Sequence, residues 1–168
     1  DIERRNTAGP EFGTISRLTA GHGPSLDFAY QILTNRAYLS RIDTHAGSFH
    51  YHYEAIPAQT DGGRPSGPWR LQRVTRPDGM QRRYLYETAL QAGHPFHLTG
   101  IELVSADGQR RQRIRTWAYN ASGRAILSIR GGPQDTQDKL RIRYLSQAGT
   151  HGEGITEITN TSGQRTLF

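Results

Sequence analysis

Apolar and polar positions alternate along this chain in short blocks, and the blocks recur. In Ser25–Tyr30, the residues Leu26, Phe28 and Tyr30 fall on one face, a period of two that predicts a strand. The stretch Leu71–Glu87 has two apolar, strand-like arms with Pro77-Asp78-Gly79 between them. Proline fixes one φ angle and glycine accepts a positive one, which together make a tight turn. The second arm ends in Tyr84-Leu85-Tyr86-Glu87, and tyrosine suits a pleated, half-buried surface. The pattern predicts a β-hairpin.

The same hairpin is written again in Leu39–Glu54. Leu39 matches Leu71, Arg41 matches Arg73, Ile42 matches Val74 and Gly47 matches Gly79. Tyr51, Tyr53 and Glu54 match Tyr84, Tyr86 and Glu87, with one extra residue in the later copy. A β-bulge in the strand is expected to absorb that residue. A third copy places Leu98 and Ile101 where Leu71 and Val74 stand, turns near Asp107-Gly108 and runs to Trp117-Ala118-Tyr119. A fourth unit starts at the turn Ser122-Gly123-Arg124, gives a strand over Ala125–Arg130 and returns through Leu140–Tyr144. There Leu140, Ile142 and Tyr144 share a face. A last unit covers Ile155–Thr159, turns at Thr161-Ser162-Gly163-Gln164 and re-enters at Thr166.

The aromatic pairs Phe28/Tyr30, Tyr51/Tyr53, Tyr84/Tyr86 and Trp117/Tyr119, followed by Tyr144, mark the period. Their second members step by 23, 33, 33 and 25 residues. Self-similarity on this scale means a repeat architecture. One hairpin cannot bury its own apolar face, so neighbouring hairpins must stack. The predicted fold is all-β: repeated antiparallel hairpins in one sheet over residues 15–168. Residues 57–68, rich in Gly and Pro, read as a loop inserted between repeats. Residues 1–14 lack any period and read as a tag or disordered leader. The last unit stops where the next aromatic pair is due. The expectation is a segment of a longer array, or a protein that covers its open edges by self-association.

These residues resemble the RHS/YD repeats (rearrangement hot spot; tyrosine–aspartate repeats). The unit of that family is approximately G-R-L-x-x-[VI]-x-x-x-x-G-x-x-x-x-Y-x-Y-[DE]. The resemblance is carried by Leu39–Glu54, by Leu71–Glu87, and by the block from His97 through Tyr119 to Gly123-Arg124-Ala125. It assigns repeat positions to Leu39, Ile42, Gly47, Tyr51, Tyr53, Leu71, Val74, Gly79, Tyr84, Tyr86, Leu98, Ile101, Gly108, Trp117, Tyr119 and Gly123. It implies a sheet that curves and spirals into a hollow shell. It also implies an enclosed C-terminal toxin domain, the rest of the repeat array as partner, and delivery outside the cell by a bacterial secretion system. The Asp-Pro-x-Gly motif of the family's self-cleaving end and a toxin domain are both missing from this sequence. Neither autoproteolysis nor toxin activity therefore follows from the resemblance.

Composition narrows the chemistry. Glycine (19) and proline (8) are frequent enough to disfavour long helices. Without cysteine there is no disulfide, thiolate metal site or cysteine nucleophile. No apolar run is long enough to span a membrane as a helix. The net charge is +6, and all basic residues but Lys139 are arginine, spread through every segment. Charge this dispersed does not specify nucleic acid.

His50-x-His52, with Glu54 on the same side, has metal-like spacing. The plainer reading is the solvated face of a strand. His94-Pro95-Phe96-His97 reads as loop. Asp43, Asp78 and Asp107 are carboxylates, but Asp78 and Asp107 hold turn positions where aspartate bonds its own backbone. Arg110, Arg111, Arg113 and Arg115 lead into Trp117 and Tyr119, and strict alternation would put Arg113 and Arg115 on the Trp117 face. That demands either a bulge or a wet face. No nucleophile elbow, phosphate loop or dinucleotide fingerprint is present. No catalytic, cofactor-binding or metal residue is assigned. The leading expectation is a structural wall segment, not an enzyme. The alternative is a carbohydrate- or cell-surface-binding module that offers tyrosine and tryptophan to a glycan.

Overall fold

The turns shape the chain first. Pro77 and Asp78 fill the centre of a turn closed by Gly79 N–H donating to the Arg76 carbonyl (2.9 Å), with Gly79 at φ +79°. Asn120–Gly123 and Asn160–Gly163 repeat this form, each with the glycine N–H donating to the asparagine carbonyl. In both, the asparagine Oδ1 also accepts two main-chain N–H groups of the turn. Without a proline at the second turn position, asparagine at the first fixes the turn by bonding the backbone directly.

The computed structural model describes residues 1–6, 8–21, 23–56, 68–145 and 155–168, with the main chain alone at 60–61 and 64–65. The strands are β1 (Ile2–Arg4), β2 (Ile15–Thr19), β3 (Ser25–Leu33), β4 (Arg36–Thr44), β5 (Gly47–Ala55), β6 (Thr60–Asp61), β7 (Arg64–Pro65), β8 (Trp69–Thr75) and β9 (Gln81–Leu85). A one-turn helix, α1 (Thr88–Gln91), follows. Then come β10 (Gly100–Val104), β11 (Arg111–Tyr119), β12 (Ala125–Ile129), β13 (Leu140–Leu145), β14 (Ile155–Thr159) and β15 (Arg165–Leu167). Thirteen of these strands form one antiparallel sheet whose order follows the chain, and β6 and β7 pair separately. The predicted all-β fold of repeated hairpins is what the structure has. The chain divides into two compact units, residues 1–83 with 104–110 and residues 84–103 with 111–168.

The structure adds to or departs from the sequence reading at four places. The 1–14 segment contains β1, which pairs with β2 through Ile2↔Leu18 and Glu3↔Arg17. Main-chain bonds hold it, and all three of its side chains are exposed, so no apolar period announced it. The inserted 57–68 loop lies mostly outside the described residues, apart from the short β6–β7 ladder. The loop after Glu87 holds α1. The extra residue of the Leu71 copy sits in its turn: Asp43 pairs with Ser48 in the earlier hairpin, whereas the matching Thr75 pairs with Gln81, one residue further on, in the later one.

Bulges occur elsewhere, at one repeated place. Tyr30 faces Leu39 and Ala29 faces Arg41, so Ser40 has no partner across the ladder. Tyr53 faces Leu71 and His52 faces Arg73, leaving Gln72 out. Tyr119 faces Ala125 and Ala118 faces Leu127, leaving Ile126 out. Residues three apart on a regular strand point to opposite faces. The extra residue returns Ile42 to the side of Leu39, and Val74 to the side of Leu71. The spacing L-x-x-[IV] is therefore the sequence form of a bulge.

Burial is sparse. Among the described residues only Ile56, Val104, Ala118 and Ile129 are buried apolar side chains. Most strand residues are half-buried, as expected where each strand is covered mainly by its neighbours in the sheet. Successive turns come close: a β-carbon on Gly47 would lie 2.8 Å from Pro77 Cβ, and one on Gly79 would lie 2.9 Å from Ala106 Cβ. Gly108 has a similar φ of +73° but no such neighbour. Gly79→Ala is expected to cost more than the roughly 1–2 kcal/mol of left-handed backbone strain alone, and Gly108→Ala only that strain. Chemical unfolding of the two variants checks this; equal costs would contradict the turn-on-turn contact.

Candidate functional site

Tyr30, Tyr53 and Tyr119, the second aromatics of their pairs, and the lone Tyr144 all do the same thing. Each hydroxyl donates to a main-chain carbonyl 14 to 21 residues earlier in the chain. Tyr30 reaches Ile15 O (2.9 Å), Tyr53 reaches Leu39 O (3.0 Å), Tyr119 reaches Leu98 O (2.8 Å) and Tyr144 reaches Ala125 O (2.9 Å). Leu39 and Ala125 are also the residues opposite the preceding tyrosines, Tyr30 and Tyr119, at the bulges. A bulge disrupts the ladder around them, and a main-chain carbonyl displaced from a ladder needs another donor. The tyrosine hydroxyl supplies it. One residue thus ties three strands together: β3, β4 and β5 at Leu39, and β11, β12 and β13 at Ala125. Burial pushes the Tyr53 and Tyr119 hydroxyls above their usual pKa, which keeps them protonated as donors. In Tyr53 the neighbouring Tyr51 and Tyr38 add to the effect.

The acid after the tyrosine collects arginine. Glu54 accepts from Arg70 Nε (2.7 Å) and Gln72 Nε2 (3.1 Å). Glu87 accepts a two-pronged bond from Arg113 at 2.8 and 2.6 Å. Arg113 also donates to Thr99 O (2.9 Å). The fully buried Thr99 links the node: its hydroxyl donates to Leu85 O or Glu87 Oε2 and accepts from Glu87 N–H. Gly100 leaves the space in which the Arg113 guanidinium lies; any β-carbon there would collide with it. The Arg113 bond, and secondarily its charge, hold the Glu87 carboxyl below its ordinary pKa against the opposing effect of burial. The arginine on the aromatic side of β11 is thus a paired charge, only 14% exposed. Arg115 remains exposed. A third acid, the largely buried Glu157, lies 3.7 Å from Arg143 and 3.8 Å from Arg165.

The other candidates fall apart on inspection. His50 is exposed, and Glu54 is already held by Arg70 and Gln72. The His52 pKa is lowered, first by burial and then by Arg73 and His50. Among the described residues, no three His, Asp or Glu side chains converge as metal ligands. Asp78 accepts from Met80 N–H (3.1 Å), and Asp107 from Gln109 N–H (3.0 Å) and the Ser105 hydroxyl. Asp43 accepts from Ser48 Oγ and pairs with Arg41, and the serine bond is the main reason its pKa falls. All three are structural acceptors.

Two arrangements were not visible in the sequence. His94 stacks on His97 (4.8 Å between rings), and His97 packs at a tilt on Tyr119 (4.4 Å). Gln91, buried at the end of α1, holds this loop by donating to Pro95 O and His97 O. His94 Nε2 lies 2.9 Å from Ala121 O and must carry the proton, because a carbonyl only accepts. The second is a cleft of about 940 Å³ lined by Arg111, Arg113, Arg115, Arg130, Gly131 and Asp135, among others. Its near wall follows from the Arg111-x-Arg113-x-Arg115 alternation, but its far wall is supplied by a loop fifteen or more residues away. That loop is anchored by Gly131 N–H donating to Ile114 O (3.1 Å) and by the Thr116 hydroxyl donating to Gly131 O (2.7 Å).

Compared with known proteins, the chain matches no protein-family model, and no characterised protein aligns with it significantly.

Because the Glu87 carboxyl is held below its ordinary value of 4.5, its stabilising effect is present above that pH. It is lost as pH falls through the lower, folded value. Glu87→Gln is therefore expected to unfold more easily at neutral pH and to show a flatter stability profile between neutral and acid pH than the parent. Thermal unfolding across pH measures both; parallel profiles would contradict the assignment.

Proposed function

We propose that this chain is a structural wall segment of an RHS-type repeat shell, not an enzyme, and that the shell encloses a toxin or effector domain delivered by a bacterial secretion system. The observation that carries the reading is the tyrosine-to-carbonyl bond recurring at Tyr30, Tyr53, Tyr119 and Tyr144, with the bulge recurring beside the first three. This conspicuous feature of the sequence serves as hardware for joining strands. The charged groups follow suit: Glu54, Glu87 and Glu157 neutralise arginines across the sheet. The glycan-binding alternative needs free polar groups beside open aromatic faces. The hydroxyls of four tyrosines are taken by carbonyls, and the Trp69 indole N–H donates to Thr34 Oγ1 (2.9 Å). The wall reading therefore has the better support.

The test uses the full-length protein. Limited proteolysis should spare a domain beyond the repeats, and Tyr53→Ala combined with Tyr119→Ala should expose it to cleavage. A full reading frame that encodes no such domain, or cleavage equally fast in the parent, would overturn the proposal. A glycan titration that quenches Trp69 and Trp117 fluorescence would favour the binding module instead.

A further inference from the structure

The cleft beside β11 combines unspent positive charge with an unfinished ladder. β12 pairs with β11 from Thr116 to Tyr119, and one further bond joins Gly131 N–H to Ile114 O. Beyond it the chain turns away at Gly131, which has φ +108°. Among the described residues, no strand lies beside Arg111–Arg113 on that side. The lining carries four arginines and one acid, Asp135. Asp135 is engaged within the loop, where its Oδ2 accepts Gly132 N–H (2.7 Å). Arg113 is neutralised by Glu87. Arg111 and Arg115 are exposed and have no ion-pair partner among the described residues. Arg130 lies 3.4 Å from Asp138 with both side chains more than half exposed, a surface contact that contributes little and is readily exchanged.

The shape of the site selects the anion. A phosphate cradle needs converging free N–H groups, and those of Gly131 and Gly132 are already bonded to Ile114 O and Asp135. Single-stranded nucleic acid needs aromatic stacking platforms, and no aromatic side chain lines the cleft. What remains is a strand edge flanked by cationic side chains. An extended peptide completes such an edge through its main chain, and its alternate side chains meet whatever flanks it.

We propose that the cleft is a docking site for an acidic, extended peptide segment of a partner protein. The segment adds beside β11 at Arg111–Arg113 and places its carboxylates on Arg111, Arg115 and Arg130. The loop from Gly131 to Gln137 forms the far wall. The inference stands apart from the shell reading, since it depends only on the edge and its charges.

Fluorescence polarisation with a short labelled peptide of alternating glutamate and valine tests it on the intact chain. The peptide should bind at low salt and weaken as salt rises. Arg111→Glu with Arg115→Glu should weaken binding by about tenfold or more, whereas Arg36→Glu, an exposed charge on β4, should not. Both substituted positions in the cleft are exposed, so circular dichroism should show the fold retained. Amide exchange within Gln112–Ile114 should slow in the complex, which a merely electrostatic contact would not produce. Absence of binding, indifference to the paired substitution, unchanged exchange, or tighter binding of an oligonucleotide or of inorganic phosphate would each overturn the proposal.

Discussion

The hydroxyls of Tyr30, Tyr53, Tyr119 and Tyr144 each end on a main-chain carbonyl of the stretch before, and much else follows from that bond. The carbonyl belongs to a residue such as Leu39 or Ala125, next to which the facing strand has shifted by one residue. Without the shift, the two apolar residues of L-x-x-[IV] would point to opposite faces. With the shift, they share a face. The tyrosine hydroxyl donates to that carbonyl. Bulge, spacing and tyrosine are one device. Its repetition lets a long sheet form with very few fully buried apolar side chains.

The charge pattern answers the same shortage of covered surface. Where a sheet face is only half-buried, long side chains can lie along it with their heads paired. Arginine suits this better than lysine because its planar fork binds a carboxylate with two bonds at once. Arg113 and Glu87 show that geometry, and Arg70 with Glu54 shows a single-pronged version. The near-absence of lysine is intelligible on that ground. Arg111 and Arg115 stand out because they lie outside this scheme, at an edge where the strand pairing stops.

Much of the fold was legible from local chemistry. The turns at Pro77-Asp78-Gly79, Ser122-Gly123 and Ser162-Gly163, the strand alternation and the hairpin repeat all depend on neighbours in sequence. What escaped depends on partners elsewhere. β1 is held by main-chain bonds to β2, and its exposed side chains carry no period. The turn between β3 and β4 is made by Thr34 and Asn35, both at positive φ. It lacks the glycine that usually announces such a turn. The arginines before Trp117 presented a conflict that sequence alone could not resolve, since Glu87 is 26 residues away from Arg113. The bulges give L-x-x-[IV] its meaning only once the register is known; the length difference between two repeats suggested a bulge instead, but the turn absorbed that residue. The candidate cleft was half legible, as arginine alternation on β11, while its other wall comes from the loop after β12.

Chemical unfolding of Tyr30→Phe, Tyr53→Phe and Tyr119→Phe, compared with Tyr38→Phe, isolates the contribution of the hydroxyl-to-carbonyl bonds. Tyr38 packs its ring against Tyr53 (5.1 Å between centroids), but its hydroxyl has no hydrogen bond among the described residues. The account predicts that each of the first three loses about 1 kcal/mol, the cost of an unmade bond to a part-buried carbonyl, while Tyr38→Phe changes little. If all four variants unfold at the parent's midpoint, the hydroxyls do not hold the repeat together.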